Sequence, residues 1–165
     1  MQSFSTQCLQ AFEMASDIVW LIPGKLAKAA LPDRSDLLAW REQGIDSVVN
    51  LLEEHFRKVA RDEVRFGFRV LHSPVPDFGV PTLEQLCAAV RWIDREIASG
   101  RTVLVHCYAG IGRTGVVLIA YLLYTGKNAG DAVGTVAAAG AGPQTVLQQE
   151  ILEQFYRTTV REDSR

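Results

Sequence analysis

One stretch of this 165-residue chain brings together the groups that phosphoryl chemistry needs. His106-Cys107 closes a β-branched run, Tyr108-Ala109-Gly110-Ile111-Gly112 follows, and Arg113-Thr114-Gly115 opens an apolar stretch. That order reads as strand, glycine-bearing turn, helix. Such a loop can aim successive backbone N–H groups at one point and form an anion-binding nest. The helix start adds orphan N–H donors and the positive end of its dipole. Arg113 can give two parallel hydrogen bonds to a tetrahedral oxyanion. The same fields favour a thiolate, so Cys107 is expected to be nucleophilic near neutral pH. A thiolate at the floor of a phosphate cradle is equipped to attack phosphorus.

The elements that must position this segment alternate in type. Residues 18–22 read as a buried strand stopped by Pro23-Gly24, and 33–43 as a helix capped by Asp33 or Ser35 and stopped at Gly44. Residues 45–51 read as a strand, and 53–66, dense in both charges, as helical. Residues 68–71 form a strand entering a loop marked by Pro74, Pro76 and Pro81. Residues 82–98 give the clearest helix, with Thr82 as N-cap and Leu83, Leu86, Val90, Ile93 and Ile97 on one face. Residues 101–106 are a short strand, and three helices follow at 113–124, 129–139 and 145–157. The fold expected is α/β: one domain with a central, mostly parallel, twisted sheet flanked by helices. Ligands in such sheets bind beyond the carboxyl ends of the strands, where Cys107 lies. Residues 1–16 form an N-terminal segment, 17–158 the domain, and 159–165 a tail.

Composition narrows the class further. Seventeen basic and nineteen acidic residues give a formal net charge of −2, against a general nucleic-acid binder. No apolar run reaches the length of a membrane span, and the first fifteen residues lack the pattern of a signal peptide. Three cysteines, Cys8, Cys87 and Cys107, fit neither a disulfide framework nor a zinc pair. The expectation is a cytoplasmic protein with no membrane or nucleic-acid partner and a monomer by default. His55 and His72 lack metal-ligand spacing, and no metal site is expected.

The segment His106-Cys107-Tyr-Ala-Gly-Ile-Gly-Arg113-Thr114-Gly115 resembles the signature H-C-x5-R-[S/T]-G of the cysteine-dependent protein tyrosine and dual-specificity phosphatases. Val75-Pro76-Asp77-Phe78, thirty residues before the cysteine, resembles the family's movable loop with its general-acid aspartate. Val48-Val-Asn-Leu51 and Trp20-Leu-Ile-Pro-Gly24 with Leu26-Ala27 resemble strands of its most compact members. Gly142-Pro-Gln-Thr and Gln148-Gln-Glu150 resemble its glutamine-bearing loop and helix. The resemblance covers about residues 17–158 and implies the following roles. Cys107 is the nucleophile, and Tyr108, Ala109, Gly110, Ile111, Gly112 and Arg113 cradle the phosphoryl group. Asp77 is the general acid, with Glu53, Glu54 and Asp62 the next carboxylates in line. The Thr114 hydroxyl assists release from sulfur, His106 orients the loop and supports the thiolate, and Gln148, ahead of Gln149, positions water. No metal or organic cofactor is implied.

Rival readings are weaker. Gly110-Ile-Gly112-Arg-Thr-Gly115 is literally the dinucleotide pattern G-x-G-x-x-G, but no second strand ending in an acid follows. A rhodanese-like sulfurtransferase would not need the aspartate loop. A non-catalytic phosphate-binding module would not need Cys107, Arg113, Thr114 and Asp77 intact together. The expected partners are phosphorylated proteins carrying phosphotyrosine, with phosphoserine and phosphothreonine admitted by a shallow site. The alternative is a phosphoinositide or an RNA 5′-phosphate. The run Arg57, Lys58, Arg61, Arg65 and Arg69, interrupted by Asp62 and Glu63, reads as a solvated face.

Overall fold

The computed structural model describes residues 18–160. The N-terminal segment at 1–16, Cys8 within it, and residues 161–165 of the expected tail lie outside the described residues. In chain order the elements are β1 (Val19–Ile22), β2 (Leu26–Ala29), α1 (Arg34–Glu42), β3 (Ser47–Asn50), a 3₁₀ turn (Glu54–Phe56), α2 (Arg57–Arg65), β4 (Arg69–His72), α3 (Leu83–Ala98), β5 (Val103–His106), α4 (Gly112–Tyr124), α5 (Ala129–Ala138), α6 (Val146–Phe155) and a π-helical turn (Tyr156–Val160). That last turn runs two residues past the domain end expected at 158.

The sheet order is β1-β2-β5-β3-β4. β1 is antiparallel to β2, and every other pairing is parallel. This is the mixed, mostly parallel α/β sheet expected. The sequence reading did not separate β2 from the turn before it. Leu-Ala-Lys-Ala carries no β-branched residue, yet all four residues are buried and pair with β5 along their length. The small Ala27 and Ala29 leave room for Trp40 of α1 on their face of the sheet.

Both faces of the sheet are covered. On one face α1 packs Leu37 and Trp40 against Ala27, Val48 and Leu104. On the other lie α3, α4 and α6 over Leu26, Val49, Val103 and Val105. α3 starts with a reciprocal cap: Thr82 Oγ1 accepts from Gln85 N at 3.1 Å, and Gln85 Oε1 accepts from Thr82 N at 2.9 Å. Its buried face is Leu86, Ala89, Val90 and Ile93, each large member stabilising by about 1.5–3 kcal/mol. α4 is buried all round, from Gly112 to Leu123, as a central helix must be. Its N-terminus faces the end of β5. Among the described residues no helix is long and apolar enough to cross a membrane.

Candidate active site

β5 delivers His106 and Cys107 to the carboxyl edge of the sheet, and five residues later α4 begins. The loop between them has a consistent orientation, traceable through its carbonyls. Cys107 O lies 3.3 Å from His106 Nδ1. Tyr108 O accepts from Leu31 N at 2.9 Å, and Ile111 O accepts from Gly115 N at 2.8 Å and Gly142 N at 3.2 Å. Gly110 O accepts from Lys28 Nζ at 3.1 Å. All described peptides are trans, so each N–H points opposite to the carbonyl of its own peptide plane. The N–H groups of Tyr108, Ala109, Ile111 and Gly112 therefore point away from these outer partners, toward the concave side. Gly110 makes the curvature possible. It lies at φ +68°, and a Cβ there would sit 2.3 Å from Ala29 O.

Arg113 is only 3% exposed and is oriented by three acceptors. Nη1 donates to Glu53 Oε2 at 2.9 Å and to Val75 O at 2.8 Å. Nη2 donates to Asp77 Oδ1 at 2.9 Å. The guanidinium has five N–H groups. Among the described residues Nε–H carries no partner, and Nη2, which forms the bidentate fork with it, is engaged by Asp77 alone.

Asp77 thus reaches the arginine that the sequence paired it with only by resemblance. Its loop is stiff. Phe78 adopts φ +54° without being glycine, a sparsely populated conformation. Gly79 N donates to Pro76 O at 2.8 Å, and Asp77 N donates to Glu53 Oε1 at 3.1 Å. Glu53 therefore holds both the arginine and the aspartate loop. Burial pushes the Glu53 carboxyl up, but hydrogen bonds from its own backbone N–H, from Arg113 and from Asp77 N outweigh this and keep it below its ordinary 4.5. Glu54 and Asp62 are elsewhere, paired with Arg57 and with Lys58 and Arg65.

His106 is fully buried with Nε2 2.7 Å from Glu63 Oε1. Glu63 Oε2 accepts from Asn50 Nδ2 at 3.0 Å, and Asn50 Oδ1 accepts from Leu52 N at 2.9 Å. This chain of contacts ties the base of the Cys107 loop to the segment bearing Glu53. It corrects the reading of Glu63 as part of a solvated face: the carboxylate is fully buried beside Ala60 on the inner side of α2. The basic residues of that run do face solvent, with Lys58 and Arg65 on Asp62.

Thr114 is buried, and its hydroxyl has no hydrogen-bond partner among the described residues. Gln148, weighed against a surface position, is fully buried, while Gln149 is exposed. Gln148 Nε2 donates to Gly79 O at 2.9 Å, and its Oε1 accepts from Gln144 N at 2.7 Å. It clamps the far side of the aspartate loop. A Cβ at Gly112 would meet Gln144 Oε1 at 2.4 Å and Gln148 Oε1 at 3.1 Å, so two amides rest on the last turn of the cradle. Tyr108, Ile111 and Phe78 are exposed at the rim, and the Phe56 ring lies 6.0 Å from that of Tyr108. Sequence reasoning missed Lys28 and Glu63, and carried Asn50 and Gln144 only within segments that resemble the family's, without a role of their own. A lysine in a four-residue buried strand was the one local signal for the first.

Comparison with known proteins agrees with this geometry. Residues 24–127 match the family model described as Tc-R-P, polymorphic toxin system, DSP-PTPase phosphatase. The crystal structure of Tk-PTP in the active form superposes with a TM-score of 0.78 at 32% identity, over 86% of this chain and 97% of that one. Cyclin-dependent kinase inhibitor 3 of Sus scrofa is 30% identical over 96 residues, 55% of this chain and 45% of its own length. Phosphatidylglycerophosphate phosphatase PTPMT2 of Arabidopsis thaliana is 26% identical over 162 residues, 95% of this chain and 68% of its own. The chain thus spans under half of the first of these curated relatives. The family match extends over β2 through α4, cradle included, and on it this chain belongs to the dual-specificity-type, cysteine-dependent phosphatase family.

Proposed function

We propose that the chain hydrolyses phosphate monoesters on proteins, phosphotyrosine first and phosphoserine and phosphothreonine with it, through a cysteinyl-phosphate intermediate. The observation that carries this reading is the orientation of the loop: its carbonyls are held outward around buried Cys107, and Arg113 keeps Nε–H without a partner and Nη2 on the exposed Asp77 carboxylate among the described residues. Cys107 Sγ attacks phosphorus in line, the P–O ester bond breaks, and Asp77 gives its proton to the leaving oxygen. Water then attacks the S–P bond, Asp77 takes a proton from it, and Thr114 Oγ1 donates toward the departing thiolate. The inward N–H groups of Tyr108, Ala109, Ile111 and Gly112 and the Arg113 guanidinium stabilise the equatorial oxygens most in the transition state. Gln148 holds the aspartate loop and directs the water. His106 supports the loop from below. The domain that does this is residues 17–158.

The exposed ring of Tyr108 beside Phe56, with Phe78 on the aspartate loop, offers flat apolar surface to an aryl ester. Similarity along nearly the whole chain to a phosphatidylglycerophosphate phosphatase favours a second reading, a lipid phosphate. The test is kcat/KM on phosphotyrosine and phosphothreonine peptides, phosphatidylglycerophosphate, a phosphoinositide and a 5′-phosphorylated RNA, with Cys107→Ser as the inactive control. The proposal expects the phosphotyrosine peptide to lead. A tenfold or greater preference for either lipid overturns the protein-substrate reading, and turnover by Cys107→Ser overturns the covalent mechanism.

A further inference from the structure

Lys28 lies in an interior strand of the sheet and is 8% exposed. Buried ammonium groups are rare and normally paired. Among the described residues no carboxylate comes within salt-bridge distance of this one, and its hydrogen-bond acceptor is the carbonyl of Gly110 in the middle of the cradle. The strand register explains the aim. Lys28 pairs with Val105, two residues before Cys107, and Ala29 O meets the loop at Gly110 from the same side. Burial pushes the Lys28 ammonium below its ordinary 10.5, and the negative charge of Cys107 pulls it back up. The strand thus holds a cation under a loop that must receive an anion.

We propose that Lys28 is a positioning residue of the phosphate cradle, which fixes the Gly110–Ile111 peptide so that the Ile111 N–H faces the phosphoryl group and which adds a second positive charge to that of Arg113 beneath Cys107. With the Gly110 carbonyl held by Lys28 Nζ, the Ile111 N–H of the same trans plane points the other way. Without the ammonium that carbonyl is free to turn inward and place a negative dipole where phosphate oxygens belong. The electrostatic argument is reciprocal. The thiolate and the bound phosphate are the counter-charges that the structure otherwise denies Lys28. The charged and titratable groups at this end of the sheet are Lys28 on β2, His72 on β4 with Nε2 at 2.9 Å from Leu52 O, His106 on β5, Glu63 on α2, Arg113 on α4, Glu53 and Asp77 on the loops, and Cys107 and exposed Tyr108 in the cradle. Arg113 is matched by Glu53 and Asp77, and His106 by Glu63. Among the described residues, Lys28 has no carboxylate within salt-bridge distance.

This inference rests on the cysteinyl-phosphatase reading of the site, and its test separates the two. Lys28→Met removes charge and donor while filling the space, and Lys28→Gln keeps an amide donor without charge. Exposed Lys25→Met is the control for lost net charge. Alkylation of Cys107 by iodoacetamide is followed by mass spectrometry across pH, and inorganic phosphate is titrated as a protectant. Both Lys28 variants should move the alkylation midpoint up by about one pH unit and weaken phosphate protection about tenfold. kcat/KM should fall with them, and Lys25→Met should match wild type. A wild-type alkylation profile and wild-type phosphate affinity in a folded Lys28→Met or Lys28→Gln protein overturn the proposal. These two readouts need no turnover, so an inactive wild-type protein would refute the phosphatase reading and leave the role of Lys28 measurable.

Discussion

Gly110→Ala isolates the closest approach in the site. The residue lies at φ +68°, and the added Cβ would meet Ala29 O at 2.3 Å and Ala29 C at 2.7 Å. Both atoms are backbone of a paired strand, so no side-chain rotation relieves the contact. Reaching ordinary separation requires the loop to lift by about 1 Å, and a displacement of that size costs about a hundredfold in rate. The left-handed backbone adds about 1–2 kcal/mol of strain, or roughly 2–8 °C of Tm in a chain of this size. Gly100→Ala is the matched control. Its φ is +78°, with open space where the Cβ would go, so it carries the strain without the collision. Both variants should lose a few degrees by thermal denaturation. Only Gly110→Ala should lose about a hundredfold or more in kcat/KM on p-nitrophenyl phosphate, with vanadate inhibition weakened in parallel. Equal activities in the two variants would falsify the claim that the cradle owes its shape to its seat on the end of β2.

Other perturbations read other parts of the site. Asp77→Asn should reduce turnover of phosphopeptides about a hundredfold, with a smaller loss for aryl esters whose leaving groups need no proton; an unchanged rate would transfer the acid's role to Glu53, which touches both Arg113 and the Asp77 backbone. Cys107 should react with peroxide faster than Cys87, whose Sγ is half-buried near Thr159 Oγ1 at 3.7 Å, and phosphate should protect it; peptide mapping that finds Cys87 oxidised first contradicts this. Glu63→Ala leaves two buried groups, on His106 and Asn50, without their shared partner, so urea unfolding should show a loss of about 2–6 kcal/mol, at about 1–3 kcal/mol for each orphaned group, whereas a loss under about 1 kcal/mol would show that the buried network does not support the loop.

How much of this was legible in the sequence depends on the range of the interaction. The strand–loop–helix at residues 103–124 is written locally, in a β-branched run, two glycines and an apolar helix, and so is the Thr82–Gln85 cap. Each of these is set by neighbours three or four residues away. The charged supports are not local. Lys28 meets Gly110 across 82 positions, and Glu63 meets His106 across 43. A reading based on hydropathy sends such residues to solvent, as it did with Glu63, because nothing near them in sequence says they will be neutralised. β2 was merged into its turn for a related reason. Its alanines are small to admit Trp40, and its lysine serves the cradle, so the pattern of a strand is displaced by the demands of its two faces. Gln148 is preferred to Gln149 by resemblance alone, since its exposed helix neighbours give it no local distinction until the loop at Gly79 folds against it.

The pairings of Arg113 set the order of events at the site. Its two carboxylate partners differ in exposure: the Glu53 side chain is 21% exposed and that of Asp77 is 57%. Water competes for the exposed Asp77 carboxylate more than for that of Glu53, so the Asp77 pair is the weaker of the two, and a hydrogen bond from a buried guanidinium to a charged oxyanion is worth about 1.5–3 kcal/mol. An arriving phosphoryl group therefore wins Nη2 from Asp77 at little cost, and the fork closes on the substrate with Nε–H. Nη1 stays on Glu53 and Val75 O throughout, so the plane of the guanidinium does not have to be found anew with each substrate. On the proposed mechanism, the carboxylate released from the arginine is the one that is next needed, at the leaving oxygen. Its backbone remains held by Glu53 Oε1 and its loop by Gln148 Nε2. Removing the Glu53 carboxylate should thus disturb arginine and acid together, and Glu53→Gln combined with Asp77→Asn should cost less than the product of the two single losses. Strict multiplicativity in that double-mutant cycle, measured as kcat/KM on a phosphotyrosine peptide, would show that Glu53 holds neither group in the working enzyme.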